Sequence, residues 1–281
     1  MFNRDIPDYI YKYISWDNKF HKRILTHSEL YFSQPKSFND PFDCLIEPDY
    51  STLNDEQVKN RIKYHVKRDN PSANRKEVRR LVKKVMSEKN WKDEENIERS
   101  NQWSYKYKNE KLGINCFSGN YQEILMWSYY ACGHRGLCLK FSTKELESNF
   151  KTLQISEGKI HEIIPVEYVP EIPKINPIVE GNYYVPKILS LKSNLWKHED
   201  EYRILFHGYK NQDKTLDKDD RVYKFTSSVL KGVYFGYYME EDVKKKILTI
   251  LKNRNFDLEL YNVMVNKEKF ELLVEPGAPT L

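Results

Sequence analysis

Cysteine is scarce in this chain, four among 281 residues, which excludes a disulfide framework and points to a reduced compartment. No stretch approaches the roughly 18 consecutive apolar residues of a membrane span. The opening segment MFNRDIPDYIYKYISW carries acids and lacks an apolar run, so no secretory signal is expected and a cytoplasmic location is. Internal repeats and low-complexity tracts are missing too. A strong charge of one sign is also lacking: 46 basic against 41 acidic residues give a net +5. Paired Cys-x₂-Cys spacing does not occur, and the looser set Cys116, Cys132, His134 and Cys138 is not a usual ligand pattern, so no metal is expected.

What is present is aromatic and locally basic. With 21 Tyr and 13 Phe the chain can build either a core with polar-tipped rings or a stacking surface, and composition does not separate the two. Between residues 59 and 84 Lys and Arg far outnumber Asp69 and Glu77. A solvated helix face, a phosphate-binding surface centred on Arg79, Arg80, Lys83 and Lys84, and a dock for an acidic protein are all open there.

At this length the chain fits one α+β domain with a mixed β-sheet core. Strands are expected at 9–14, 30–33, 114–117, 136–141, 163–168, 201–207, 223–225, 232–235, 258–263 and 270–273. Helices are expected at 20–28, 121–131, 186–196 and 240–251. Residues 52–110 read as an all-helical insertion. Asn54-Asp55-Glu56-Gln57 opens its first helix, Val78, Leu81, Val82 and Val85 stripe the second, and a third runs from about 92 to 107.

Three islands concentrate costly residue combinations. SFNDPFDC (residues 37–44) is either a rigid corner or a loop whose Asn39 amide and Asp40 or Asp43 carboxylate bind a ribose or amide group. In residues 116–141, His134 near Trp127, Tyr129 and Tyr130 is either packed against backbone or placed to stack on a planar ligand. WKHEDEYRIL (residues 196–205) puts Glu199 and Glu201 two apart. If the chain is extended there, both acids and Arg203 share one face, as an ion pair on an edge strand or as an acid positioned at a cleft.

Taken in order, these stretches resemble a bacterial family of domains of unknown function, number 2971. The resemblance rests on Tyr11-Lys12-Tyr13, on LYFSQPKSFNDPFD at 30–43, on LMWSYYACGHRGLCL at 125–139 and on WKHEDEYR at 196–203. The family label implies no activity. A second resemblance, at the level of fold, is to the ADP-ribosyltransferases, with Lys12 standing where their first strand has His or Arg. It implies NAD as co-substrate, with Tyr11 or Tyr13 on the first strand and Tyr31 or Ser33 on a later one. Glu201 takes the catalytic place, Tyr31 and Trp127 sandwich a base, and Arg203 and His134 hold phosphate or orient the acid. Two readings follow. One is a nucleotide- or nucleic-acid-directed, ADP-ribosyltransferase-like or NAD-cleaving enzyme of a toxin or antiphage defence system. The other is a non-catalytic module of such a system that binds nucleic acid or protein.

Overall fold

In Tyr9–Ile14 (β1) rings and aliphatics alternate, so Tyr11 and Tyr13 face one side of a sheet while Ile10 and Ile14 face the other. A computed structural model of the chain, describing residues 5–49, 54–88, 94–152, 158–208, 215–254 and 256–277, continues from there. Asn18 caps α1 (Lys19–His27) by accepting from the Phe20 amide, and Ser28 ends it in a left-handed conformation before β2 (Glu29–Tyr31). Asn54 and Gln57 form a reciprocal capping box that starts α2 (Asp55–Asp69). Helix α3 (Arg75–Glu88) buries Val78 and Val82, and α4 (Glu94–Lys111) runs with no intervening residue into β3 (Leu112–Ser118).

Next come α5 (Ile124–Tyr130), β4 (Leu137–Ser142), α6 (Thr143–Thr152), β5 (Gly158–Pro165) and β6 (Glu167–Val169). Two short helices, α7 (Pro177–Glu180) and α8 (Tyr184–Ile188), lead to β7 (Leu191–Ser193) and β8 (Glu201–Gly208). The chain closes through β9 (Val222–Lys224), β10 (Leu230–Phe235), α9 (Glu241–Asn253), β11 (Glu259–Val265) and β12 (Leu272–Pro276).

Eight strands form one mixed sheet in the order β12-β11-β10-β4-β1-β3-β8-β5, in which β10 and β11 are parallel and the other neighbours antiparallel. The fold is therefore α+β around a mixed sheet. Ile10, Ile14 and Phe141 pack beneath Leu25 of α1, Leu146 of α6 and Ile247 and Leu251 of α9. On the opposite face Tyr11, Tyr13, Cys138 and Tyr234 pack with Trp127 of α5. A third cluster joins Ile114, Ile164 and Leu205 to Ile188 and Leu189. No helix among the described residues is long and apolar enough to cross a membrane.

Three expectations are corrected. The single strand at 163–168 is two, β5 and β6, separated at Val166, whose amide donates to the Glu201 carbonyl. The helix expected at 186–196 stops at Ile188. Its remainder is strand β7, paired in parallel with β6, and a 3₁₀ turn over Asn194–Glu199. A nonlocal ladder overrides the helical reading that Pro186 near its start suggested. Finally, β8 is no edge strand, since it lies between β3 and β5.

The feature that makes room for a site is a parting in the sheet. Strand β1 pairs with β4 along its full length but meets β3 in register only at Tyr11 and Ser118. Beyond that point the Lys12 side chain bridges the strands, donating to Asn115 Oδ1 and the Cys116 carbonyl, each at 2.8 Å.

Candidate functional site

A cavity of about 630 Å³ opens at this parting. Strand β1 contributes Tyr11, Lys12 and Tyr13, β3 contributes Cys116 and Ser118, and Tyr31 and Ser33 come from β2 and the residues after it. Asn39 and Asp43 enter from the SFNDPFDC loop, Tyr129 and Tyr130 from α5, and Trp196, Glu199 and Glu201 from the third island. All three islands thus meet at one place. Register explains part of this convergence, because Ser118 is the cross-strand partner of both Tyr11 and Glu201.

The floor is a buried ionic cluster. Arg203, wholly buried, donates from Nε to Glu201 Oε1 (2.8 Å) and from Nη2 to Oε2 (3.0 Å). The same guanidinium donates to both oxygens of Asp43 (2.9 and 2.7 Å) and to the Leu189 carbonyl (2.6 Å). Lys192 Nζ sits against Glu199 (2.5 Å), Glu201 (3.1 Å) and Asp43 (3.5 Å). Tyr130 donates to the other oxygen of Glu199 (2.6 Å), and Asn39 donates to the Tyr130 hydroxyl (3.2 Å). Fully paired, such a cluster is tolerated in a dry interior; an unpaired member would not be.

The two glutamates are driven apart. Burial works against the charge on Glu201, but Arg203 and Lys192 reverse it and hold its carboxyl far below the ordinary range. Glu199 is pushed up, first by burial and then by the charge of Glu201, with Lys192 and Tyr130 opposing. Lys192 is held charged above its ordinary value, because Glu201, Asp43 and Glu199 together outweigh its burial. Lys12 moves the other way, down to about 8, because burial outweighs the attraction of Cys116 and Glu201. Burial also pushes the Cys116 thiol well up, which keeps it protonated.

Backbone strain marks the same stretches. Of the five non-glycine residues with positive φ among the described residues, Cys44, Cys132, His134 and Asp200 all lie in the islands. Asp200 matters most. Its left-handed turn (φ 47°) ends the 3₁₀ segment, so Glu199 and Glu201 are not on a common extended strand. They still reach the same ammonium, one from each side of the turn.

The residues singled out in the sequence divide. Tyr13, Tyr31, Ser33, Asn39, Tyr130 and Glu201 line the cavity. Arg203 lies beneath it, committed to Asp43 and Glu201, where it orients the acid and has no face free for phosphate. Trp127 is a core residue whose indole N–H donates to the Tyr121 carbonyl. His134 stacks on Trp127 and borders a different cavity with Tyr237 and Tyr238. Asp40 is buried, accepts from the Phe42 amide and borders a separate pocket with Pro41 and Asn109. Arg79 and Lys83 lie in a groove between α2 and α3, and Arg80 and Lys84 lie outside it.

Lys192 is the partner that sequence reasoning missed. A lone lysine in LSLKSN carries no local signal, and only the β6–β7 pairing delivers it to the acids. Tyr168, which accepts from the Glu201 amide at 2.8 Å, was equally silent.

Residues 126–204, the stretch that carries Tyr130, Lys192, Glu199, Glu201 and Arg203, match the model of a family described as protein of unknown function (DUF2971). No curated protein and no solved structure matches the chain.

Proposed function

We propose that the cavity binds a nucleotide and cleaves its N-glycosidic bond, with NAD the first substrate to test. The observation that carries this is the pair of carboxylates on one ammonium, one held far below the ordinary carboxylate range and the other pushed above it. Pairs whose environments push their pKa values apart are how acid and base roles are divided in enzymes. Glu201, fixed by Arg203 and Lys192, supplies negative charge beside a developing oxocarbenium ion, and Glu199 with Tyr130 gives or takes the proton. Tyr13, Tyr31, Tyr129 and Trp196 offer ring faces and edges to a planar base. The positions that the resemblance to ADP-ribosyltransferases implies, on β1, on and just after β2, and at Glu201, all border this cavity. An enzyme consuming a shared nucleotide harms its own cell when unrestrained, which suits a toxin or an antiphage defence protein.

The test is nicotinamide release from NAD by the purified chain, alone and with DNA, RNA and protein acceptors. Turnover is expected, falling at least about 100-fold in Glu199→Gln, the lower end of what a general acid or base contributes. Absence of turnover under every condition overturns the reading.

A specific observation favours a second activity, nucleic-acid binding by the helical segment. Lys59, Lys63 and Lys67 recur every fourth residue on α2, and Arg75, Arg79 and Lys83 do so on α3. These rows border one groove of about 850 Å³ with Val78 and Val82 at its base. Phosphate contacts make log K fall with log salt by about 0.9 per neutralised phosphate on duplex DNA. Reversing Lys63 and Arg79 together is expected to lower that slope by about 2. Binding that is indifferent to salt refutes it.

A further inference from the structure

Two lysines border the cavity, and their surroundings give them opposite chemistry. Lys192 is surrounded by three carboxylates and stays an ammonium. The amine of Lys12 is held by two neutral acceptors, Asn115 Oδ1 and the Cys116 carbonyl, both at 2.8 Å. Among the described residues no carboxylate is within ion-pair distance of it.

The geometry suits a free amine. An ammonium has three N–H donors, whereas the neutral amine has two and a lone pair. Two neutral acceptors use both donors of the neutral form, so loss of the third proton breaks neither of these bonds. The fourth tetrahedral direction then carries the lone pair, on a side chain that borders the cavity. Groups facing Lys12 are Cys116 from β3, Glu201 from β8, and His21 from α1, which is itself held neutral at neutral pH. The Phe117 ring, 5.0 Å away, favours the ammonium only weakly. Burial prevails and lowers the amine to about 8, so Lys12 gives up its proton far more readily than an ordinary lysine.

We propose that Lys12 is a nucleophilic amine of this cavity that condenses with an aldehyde, the open-chain form of a sugar phosphate, to give an imine. The sugar class rests on the glycosidic reading above, since cleavage of that bond frees a ribose carbon that opens to an aldehyde. The amine lone pair forms the C–N bond while the carbonyl π pair moves to oxygen, which takes up a proton. The resulting carbinolamine loses one nitrogen proton, and its hydroxyl takes up a proton and leaves as water as the nitrogen lone pair forms the C=N bond. The iminium then gives up its remaining nitrogen proton, with Glu199, a cavity carboxyl pushed up by burial, exchanging these protons. The sum is amine plus aldehyde to imine plus water, with no change of oxidation state.

The experiment incubates the full chain with ribose 5-phosphate and sodium cyanoborohydride, whose hydride converts the C=N bond to a stable secondary amine. Labelled lysines are then located by peptide mass mapping over a pH series. Lys12 is expected to label at least tenfold faster than surface lysines at pH 7.5, with a midpoint about 8. Lys12→Arg should abolish that adduct and leave the surface adducts unchanged. If that variant does not fold, the pH midpoint of the unmodified chain decides. An unlabelled Lys12 among labelled surface lysines, or a midpoint at the ordinary lysine value, overturns the proposal. Labelling at Lys12 without NAD turnover keeps the amine and removes NAD as substrate, whereas turnover with Lys12 unlabelled does the reverse.

Discussion

Replacing Glu201 by Gln removes one charge from a cluster that has almost no access to water. Glu201 accepts three charge-assisted hydrogen bonds, two from Arg203 and one from Lys192. The amide keeps the shape, but its NH₂ group must meet either Arg203 or Lys192, donor against donor. Asp43 remains bidentate on Arg203, so the guanidinium is not orphaned, and Glu199 still holds Lys192. Breaking one partner out of a buried ion pair costs roughly 3–5 kcal/mol. With about 2 °C of melting temperature per kcal/mol in a domain this large, the variant should melt about 6–10 °C below the parent. The sign with pH is also fixed. Glu201 has a depressed folded pKa, so its stabilisation is complete above the unfolded value of about 4.3 and is lost as pH falls toward the folded one. The gap between variant and parent should therefore be widest at neutral pH and narrow only in strong acid. Removing the charge of Glu201 also lets Glu199 ionise more easily, so the limb of any residual pH profile that Glu199 sets should move to lower pH. Thermal melts from pH 3 to 8, with NAD turnover on the same preparation, measure all of this. A variant that melts within 1 °C of the parent at every pH refutes the claim that Glu201 belongs to a buried, fully paired cluster.

Tyr130→Phe removes the donor to Glu199 and the acceptor for Asn39, and should cost about 1.5–3 kcal/mol by denaturant titration, as for other hydrogen bonds to charged groups. It should also raise Glu199 further, shifting the limb of the pH profile that Glu199 sets to higher pH. His21 and His207 are held neutral by burial, each lowered to about 4. Their contribution is complete above the unfolded value of about 6.5 and declines as pH falls toward 4, so melting temperature should drop between pH 6.5 and 4.5, and His21→Asn with His207→Gln should flatten that drop. Gly136→Ala would set a Cβ 2.1 Å from the Ile14 carbonyl and 2.9 Å from that of Ala131, where only backbone can yield. A loss of about 3 kcal/mol in chemical denaturation is expected, the upper part of the overpacking range.

Local chemistry was the legible part of this fold. Alternation in residues 9–14, the Asn54–Gln57 cap and the apolar stripe of α9 are all written within a few residues, and each element formed as read. The islands were legible as places but not as side-chain roles. Adjacent Trp127, Tyr130 and His134 look alike in sequence, yet one is core, one reaches Glu199 and one borders another cavity. That difference depends on which face of α5 meets the sheet and on how the turn after it sets His134, which no local pattern states. Arg203 was found beside Glu201 because a strand repeats every second residue. Lys192 was not, because its contact with the acids depends on a parallel ladder between segments 24 residues apart.

The junction of α4 with β3 has a mechanical consequence. Helix passes to strand at Lys111 and Leu112 with no loop to absorb a displacement. Arg221, wholly buried, clamps this point by donating to the carbonyls of Asn109 and Leu112. Three residues further along the strand is Asn115, which holds the Lys12 amine, about 10 Å away at the rise of an extended chain. On the other side of α4, Lys108 donates to the carbonyls of Cys44 and Ile46, directly after the aspartate that pairs with Arg203. The helix therefore acts as a lever with two short arms, one on the amine and one on the ionic floor. A displacement of α4 is delivered to both.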